Sequence, residues 1–158
     1  MNRSVIAQRV CAIVMLLSSC GGSPTRPSDD GPFRLSGSIN SATIQPGTSA
    51  IIAIRLDNIS AEPKTLTFGS SCQIQSFIVR RDGGDIVYPG GGGWACLAVI
   101  TRLDMPAGGA VTQEVLVRAA PDAPYPYVAL PPGEYLAYAT LESQAYPLRS
   151  ESIPFTIR

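Results

Sequence analysis

Apolar and polar side chains alternate with a period of two residues along most of the chain after residue 32. The alternation is clearest at AIIAIRL (50–56), EYLAYATL (134–141) and IPFTI (153–157). Stretches rich in turn-forming residues separate such segments, among them TIQPGTS (43–49), RRDGGD (80–85) and MPAGGA (105–110). Short alternating segments with frequent turns are typical of antiparallel β-sheets. We therefore expect an all-β fold, an antiparallel β-sandwich, over residues 33–158.

The first 19 residues have the pattern of a secretory signal peptide. Residues 1–9 are polar and carry Arg3 and Arg9, and the short apolar run VCAIVMLL follows at 10–17. A charged start and a short apolar run are typical of an export signal, and about 20 apolar residues would be needed to cross a bilayer. The alternative is a buried helix of a globular domain.

The signal ends in LSSC (17–20), which resembles the bacterial lipobox: an aliphatic residue, two small residues and a cysteine. The resemblance implies cleavage before Cys20 and acylation of its thiol and new amino terminus, with palmitate-type chains that anchor the protein in a lipid bilayer. A free or disulfide-bonded Cys20 is the alternative. Residues 20–32 then form a flexible linker rich in Gly, Pro, Ser and Asp. Gly21 in place of aspartate implies the outer membrane in a Gram-negative envelope.

Two cysteines remain in the exported part of the chain, Cys72 and Cys96. Because an exported protein is in an oxidising compartment, we expect them to form a disulfide. A redox or nucleophilic role is the alternative, although no Cys-x-x-Cys spacing and no histidine supports it. Two cysteines are too few for a structural zinc site.

Four further segments follow one another in a familiar order: RLDNIS (55–60), LTFGSSCQIQSFIVRRDGGDIVY (66–88), LDMPAGGAVTQEV (103–115) and LPPGEYLAYATL (130–141). Together they resemble the BsuPI domain, the intracellular proteinase inhibitor family, over residues 49–141. The resemblance implies an immunoglobulin-like β-sandwich and proteinase inhibition. Tyr88 stands where the family often has tryptophan, and no reactive-site residue can be assigned from the resemblance.

The segment PGEY (132–135) also resembles the tyrosine corner of such sandwiches, in which a tyrosine hydroxyl bonds to a nearby backbone group. This makes Tyr135 a structural residue rather than a functional one.

Two loops are candidate binding surfaces. YPGGGGWAC (88–96) combines four glycines with Trp94, the one tryptophan of the chain, and AAPDAPYPYVALPP (119–132) presents Tyr125 and Tyr127 among prolines. Aromatic side chains on loops are frequent anchors in protein interfaces. In the alternative, Trp94 folds back onto the disulfide or the sandwich edge, and the second loop is an ordinary rigid connection.

Composition argues against most other functions. The chain of 158 residues has no histidine, and its 12 Lys and Arg balance its 12 Asp and Glu. Without histidine it lacks the commonest general base and metal ligand, and without a basic patch it lacks the signature of nucleic-acid binding. No GxSxG or Ser-x-x-Lys motif occurs.

We thus expect a membrane-anchored bacterial lipoprotein that is not an enzyme and uses no cofactor or metal. Its first candidate role is a non-catalytic binding module that inhibits a proteinase. The alternative is a structural or accessory envelope lipoprotein that docks on a protein complex or a cell-wall polymer.

Overall fold

The computed structural model describes residues 31–90 and 93–158, so the predicted signal peptide and Cys20 lie outside the described residues. Within these ranges the secondary structure is all β, with twelve strands: β1 Phe33–Ile39, β2 Thr43–Ile44, β3 Ser49–Asn58, β4 Lys64–Phe68, β5 Ile74–Arg80, β6 Ile86–Tyr88, β7 Thr101–Met105, β8 Ala110–Arg118, β9 Val128–Ala129, β10 Gly133–Leu141, β11 Leu148–Arg149 and β12 Ile153–Ile157. Among the described residues, no helix is long and apolar enough to cross a bilayer.

The strands form an immunoglobulin-like β-sandwich, which confirms the predicted fold class. One sheet has the order β1-β3-β8-β9, and the other has the order β2-β12-β10-β5-β6, with β11 paired to β10. A small third sheet joins β4 to β7. The long pairings are antiparallel, but the two-residue strands β2 and β9 run parallel to β12 and β8. These two short pairings are the one departure from a purely antiparallel sandwich.

The core lies between the two large sheets and follows the alternation of the sequence. In β10 the inward residues Tyr135, Ala137, Ala139 and Leu141 are each at most 2% exposed. In β3 the inward face consists of Ala50, Ile52, Ile54, Leu56 and Asn58, all buried. Burial of one face of each strand removes apolar surface from water, which is the main stabilising contribution in a domain of this size.

The outward face of β5 is more apolar than a solvent-facing surface needs to be. Ser76 and Ile78 are the buried residues of this strand, whereas Phe77 and Val79 are half-buried on the opposite face. Phe77 stacks on Tyr138 with ring centroids 5.1 Å apart, and the guanidinium of Arg149 lies 3.8 Å from the centre of the Tyr138 ring. This stack shields apolar surface that lies outside the core.

Gly37 lies where the two sheets approach closely. A Cβ atom at this position would lie 2.6 Å from Cδ1 of Ile153 and 3.2 Å from Cδ1 of Ile54. A side chain at this position would therefore require the end of the Ile153 side chain to move. The position continues the alternation of Phe33 and Leu35 in β1.

Asn58 fastens the end of β3 to the turn that precedes β8. Its buried side chain donates to the carbonyl oxygens of Met105 and Pro106 at 3.2 and 3.0 Å, and to that of Glu62 at 2.9 Å. Its own oxygen accepts from the backbone N–H and the hydroxyl of Ser60. Such a fully bonded amide is a structural clamp, since a buried polar group without partners would be costly.

Tyr135 forms the predicted tyrosine corner. Its hydroxyl donates to the carbonyl oxygen of Pro131 at 2.7 Å, and its ring stacks on Phe155 with centroids 5.4 Å apart. Burial raises the pKa of this phenol above its ordinary value, while nearby Arg80 lowers it and Asp82 raises it. The corner fixes the entry of the chain into β10.

Candidate functional site

A disulfide joins the β4–β5 loop to the β6–β7 loop, as predicted. The Cα atoms of Cys72 and Cys96 are 5.5 Å apart, and the S–S distance is 2.06 Å. These values match a regular disulfide. The bond attaches the long segment between β6 and β7 to the edge of the sandwich.

Hydrogen bonds reinforce this attachment on both sides of the disulfide. The backbone N–H of Leu97 donates to Oγ of Ser71 at 2.9 Å, and the N–H of Ser71 donates to the Leu97 carbonyl at 3.0 Å. The hydroxyl of Thr101 donates to the carbonyl of Ser70 at 2.8 Å and accepts from the side-chain amide of Gln73 at 3.1 Å. The two loops therefore form one cross-linked unit.

Trp94 packs against Tyr88 instead of projecting into solvent. The two rings meet edge to face, with centroids 5.4 Å apart and planes at 86°. The side chain is half-buried, and its indole N–H has no hydrogen-bond partner among the described residues. This arrangement matches the alternative in which the ring folds back onto the sandwich edge.

Beside Trp94, the sandwich is open at one edge. A cleft of about 300 Å³ separates the start of β8 from the start of β5, and its walls include Cys72, Ile74, Trp94, Leu103, Val111 and Gln113. Gln113 bridges the two sheets by donating to the hydroxyl of Ser76 at 3.4 Å. Val111 belongs to the inward face of β8 but is 36% exposed, because the cleft leaves this end of the strand uncovered.

The second candidate loop carries one exposed and one half-buried tyrosine. Tyr125 is 97% exposed, whereas Tyr127 is half-buried with the guanidinium of Arg118 5.5 Å from its ring centre. The pKa of Tyr88 is raised by burial and, to a smaller extent, by the charge of ionised Tyr125. Tyr88 lies in β6 and Tyr127 directly precedes β9, and these two strands are at the ends of their sheets. We call the residues Tyr88, Trp94 and Tyr125 the aromatic edge.

A group of exposed aliphatic side chains, which the sequence pattern does not predict, lies next to this edge. Leu97, Val99 and Ile100 are 72%, 48% and 73% exposed. These three residues belong to the apolar run that begins at Cys96. Because such a run has no polar residues at alternate positions, its pattern does not tell which side chains are exposed. Strand β7 begins only at Thr101, so these residues belong to a loop. The lack of charge between Asp85 and Arg102 is the one feature of the sequence that marks this segment.

Among the described residues, no group of three or more His, Cys, Asp or Glu side chains could hold a metal ion. The ion pairs in this part of the chain are at the surface, such as Lys64 with Glu62 at 2.9 Å and Arg55 with Asp57 at 2.8 Å. Cys20 lies outside the described residues.

Comparison with protein-family models and with curated proteins finds no match. Solved structures give weak similarities. The CARDB domain of a Pyrococcus furiosus protein is 8% identical, with a TM-score of 0.46, covering 80% of this chain and 89% of that one. A β-glucosidase from Erythrobacter marinus is 11% identical, with a TM-score of 0.44, covering 80% of this chain and 15% of that one.

Spo0M, the sporulation control protein of Bacillus subtilis, is 10% identical, with a TM-score of 0.43, and the alignment covers 81% of this chain and 50% of Spo0M. The chain therefore spans only a small part of the glucosidase and half of Spo0M. None of these similarities, all with TM-scores below 0.5, carries information on function.

Proposed function

We propose that this chain is a membrane-anchored bacterial lipoprotein whose β-sandwich is a non-catalytic binding module, and that its partner is a proteinase that it inhibits. The anchor is the acylated Cys20 of the LSSC segment, and residues 20–32 connect it to the domain. In a Gram-negative cell the protein belongs to the outer membrane. The alternative partner is a protein complex or polymer of the envelope.

The observation that carries the proposal is the aromatic edge. Tyr125 is 97% exposed, and Trp94 of the Tyr88–Trp94 pair lines a cleft that is also walled by Ile74, Leu103 and Val111. Tyrosine and tryptophan are enriched at the centres of protein interfaces, where they combine a large apolar area with a polar group. A cleft beside them offers a pocket for an apolar side chain of the partner.

The disulfide adds to this argument because it pre-organises the surface. Cys96 holds the chain next to Trp94, and Leu97 is bonded to Ser71 from both its N–H and its carbonyl. A surface that is ordered before binding loses less conformational entropy when the partner arrives. Inhibition is proposed from the resemblance of residues 49–141 to the BsuPI domain.

The test of inhibition is a titration of serine, cysteine and metalloproteases with the acylated full chain in detergent. We expect stoichiometric loss of activity for one protease class. Tyr125→Ala should weaken the inhibition at least about tenfold, because an exposed aromatic anchor would be removed. Ile59→Ala is the matched control, since Ile59 is exposed at 43% and belongs to neither candidate loop.

No inhibition of any protease class would contradict the inhibitor role. A photo-crosslinker at position 125 would then test the alternative partner, because it would capture an envelope protein in intact cells.

The anchor is tested separately by the mass of the N-terminal peptide and by fractionation. We expect diacylglyceryl and acyl groups on Cys20, and we expect Cys20→Ala to remain unacylated. An unmodified Cys20 in the mature native protein would contradict the lipoprotein assignment.

A further inference from the structure

Residues 97–100 present a compact group of aliphatic side chains to solvent. Leu97 and Ile100 are 72% and 73% exposed, and Val99 is 48% exposed. No charged residue occurs between Asp85 and Arg102, so the surroundings of this group in the chain are uncharged as well. An exposed apolar group of this kind marks a surface that contacts a membrane or another protein.

The loop that carries these side chains is held in shape. The disulfide fixes Cys96, the reciprocal bonds with Ser71 fix Leu97, and the N–H of Val99 donates to the carbonyl of Leu97 at 2.9 Å, which closes a tight turn at Ala98. The aliphatic side chains are therefore presented without a further ordering step. Such a loop can insert into an apolar phase at a low entropic cost.

The loop lies at the opposite end of β7 from the point where the linker enters the domain. The carbonyl of Pro32 accepts from the N–H of Ile59, and the neighbouring Asn58 donates to the carbonyl of Met105 at the end of β7. Ile100 precedes β7 and lies about 17 Å along this strand from Met105, at roughly 3.3 Å per residue. A linker of the length of residues 21–32 spans about 20 Å when flexible.

We propose that the loop 97–100 docks onto the lipid bilayer in which Cys20 is anchored, with Leu97, Val99 and Ile100 in the interfacial layer. The inference rests on the proposed function for the acyl anchor. The linker is long enough to let the anchor and the loop reach the same bilayer, and the uncharged segment avoids the high cost of bringing charge into a membrane.

Docking gives the domain a fixed orientation on the membrane. Strand β3 runs from Asn58, next to the linker, to Ser49, about 30 Å away. The turn between β2 and β3, which includes Gln45, is therefore remote from the membrane. A tethered domain that lacked the docking loop would instead sample all orientations around its linker.

The experiment places a fluorescent reporter at the tip of the loop. Ala98, exposed in the turn, is replaced in the acylated full chain by tryptophan (Ala98→Trp), and the emission of the unsubstituted chain is subtracted. The protein is reconstituted in phosphatidylethanolamine and phosphatidylglycerol vesicles that contain a phosphatidylcholine with brominated acyl chains. We expect strong quenching by the brominated chains and weak quenching by aqueous iodide.

Three matched variants sharpen the experiment. Gln45→Trp puts the same reporter on the remote turn, where we expect quenching by iodide only. Leu97→Asp with Ile100→Asp, added to Ala98→Trp, should reduce quenching by the brominated chains to the level of the remote reporter while the protein stays with the vesicles. Ile86→Asp adds a charge at an apolar side chain that is 56% exposed on β6, and it should leave the quenching unchanged.

The outcomes separate the docking from the anchor. Acylated protein whose Ala98→Trp reporter is quenched by brominated chains no more than the Gln45→Trp reporter would overturn the docking and leave the anchor intact. A reporter shielded from both quenchers would also overturn it, and would indicate that a second copy or another protein covers the loop. An unmodified Cys20 would refute the anchor, and with it the docking as proposed here.

Discussion

The tyrosine corner, around Tyr135, and the disulfide edge, around Cys72 and Cys96, each hold a loop against the sandwich, but they do so by different interactions. At the corner, Tyr135 is fully buried, and its hydroxyl is bonded to Pro131. At the edge, Cys72 and Cys96 supply a covalent bond, while Leu97 and Ile100 beside it remain more than 70% exposed. Burial stabilises the first region, and a cross-link stabilises the second.

A covalent bond can hold a loop in place without requiring the apolar side chains of that loop to pack in the core. Where burial holds a loop in place, the apolar side chains that hold it face inward. These side chains are then not available to contact a partner. Where a disulfide holds a loop, the same residues can face outward. A binding surface therefore forms more easily at the disulfide edge than at the tyrosine corner.

The largest expected effect comes from removing the ring at the corner. Tyr135→Ala should lower the free energy of unfolding by about 4 kcal/mol, because it leaves a cavity next to Phe155. Urea denaturation followed by circular dichroism measures the change. Tyr125→Ala is the control, since a side chain that is 97% exposed should contribute less than about 0.5 kcal/mol. Equal losses for the two variants would contradict the assignment of the corner as a packing site.

Removing the disulfide should lower the free energy of unfolding nearly as much as Tyr135→Ala does. Cys72→Ala with Cys96→Ala should lower the free energy of unfolding by about 3.5 kcal/mol, because the unfolded chain regains the freedom of a loop of roughly 25 residues. A reducing agent should have the same effect on the unsubstituted protein and none on the double variant. A loss below about 1 kcal/mol would show that packing, and not the bond, holds this edge.

A smaller change at the corner removes only the hydroxyl. Tyr135→Phe should cost about 1 kcal/mol at neutral pH through the lost bond to Pro131. Because burial raises the pKa of Tyr135 above its ordinary value of 10.0, the folded state favours the neutral phenol. The stability from this preference is complete below pH 10.0 and is lost as the pH rises through the pKa of the folded state.

The measurement for this variant is urea denaturation as a function of pH. Tyr135→Phe should lose less stability than the unsubstituted protein between neutral and strongly alkaline pH. Part of the alkaline loss should remain, since burial also raises the pKa of Tyr88. Identical pH profiles for the two proteins would refute the role of the phenol.

The smallest effect is expected at the exposed loop. Leu97→Ser with Ile100→Ser should change the free energy of unfolding by less than about 0.5 kcal/mol, because these side chains are already in water. Leu66→Ala, at a residue that is 1% exposed, should cost about 3 kcal/mol in the same assay. A large loss in the loop variant would show that Leu97 and Ile100 pack in solution, and the contrast between the two regions would fail.

The sequence was most informative where one strand faces the core with every second residue. The alternation in EYLAYATL (134–141) matches β10, in which every second residue from Tyr135 to Leu141 is buried, and the tyrosine corner was predicted from the turn before it. The pattern was less informative for β8, whose Val111 and Gln113 continue the apolar-face alternation but line an open cleft. Alternation reports which face a residue is on, and it does not report whether another sheet covers that face.

The sequence by itself determined the class of fold, the disulfide partners and the corner tyrosine, because these depend on local patterns and on the small number of cysteines. Only the tertiary structure decided that Trp94 folds against Tyr88 and that Leu97, Val99 and Ile100 face solvent. The physical reason is that exposure and proximity result from contacts between segments distant along the chain. A run of apolar residues has the same sequence whether it is buried in a sheet or held at the surface by a disulfide.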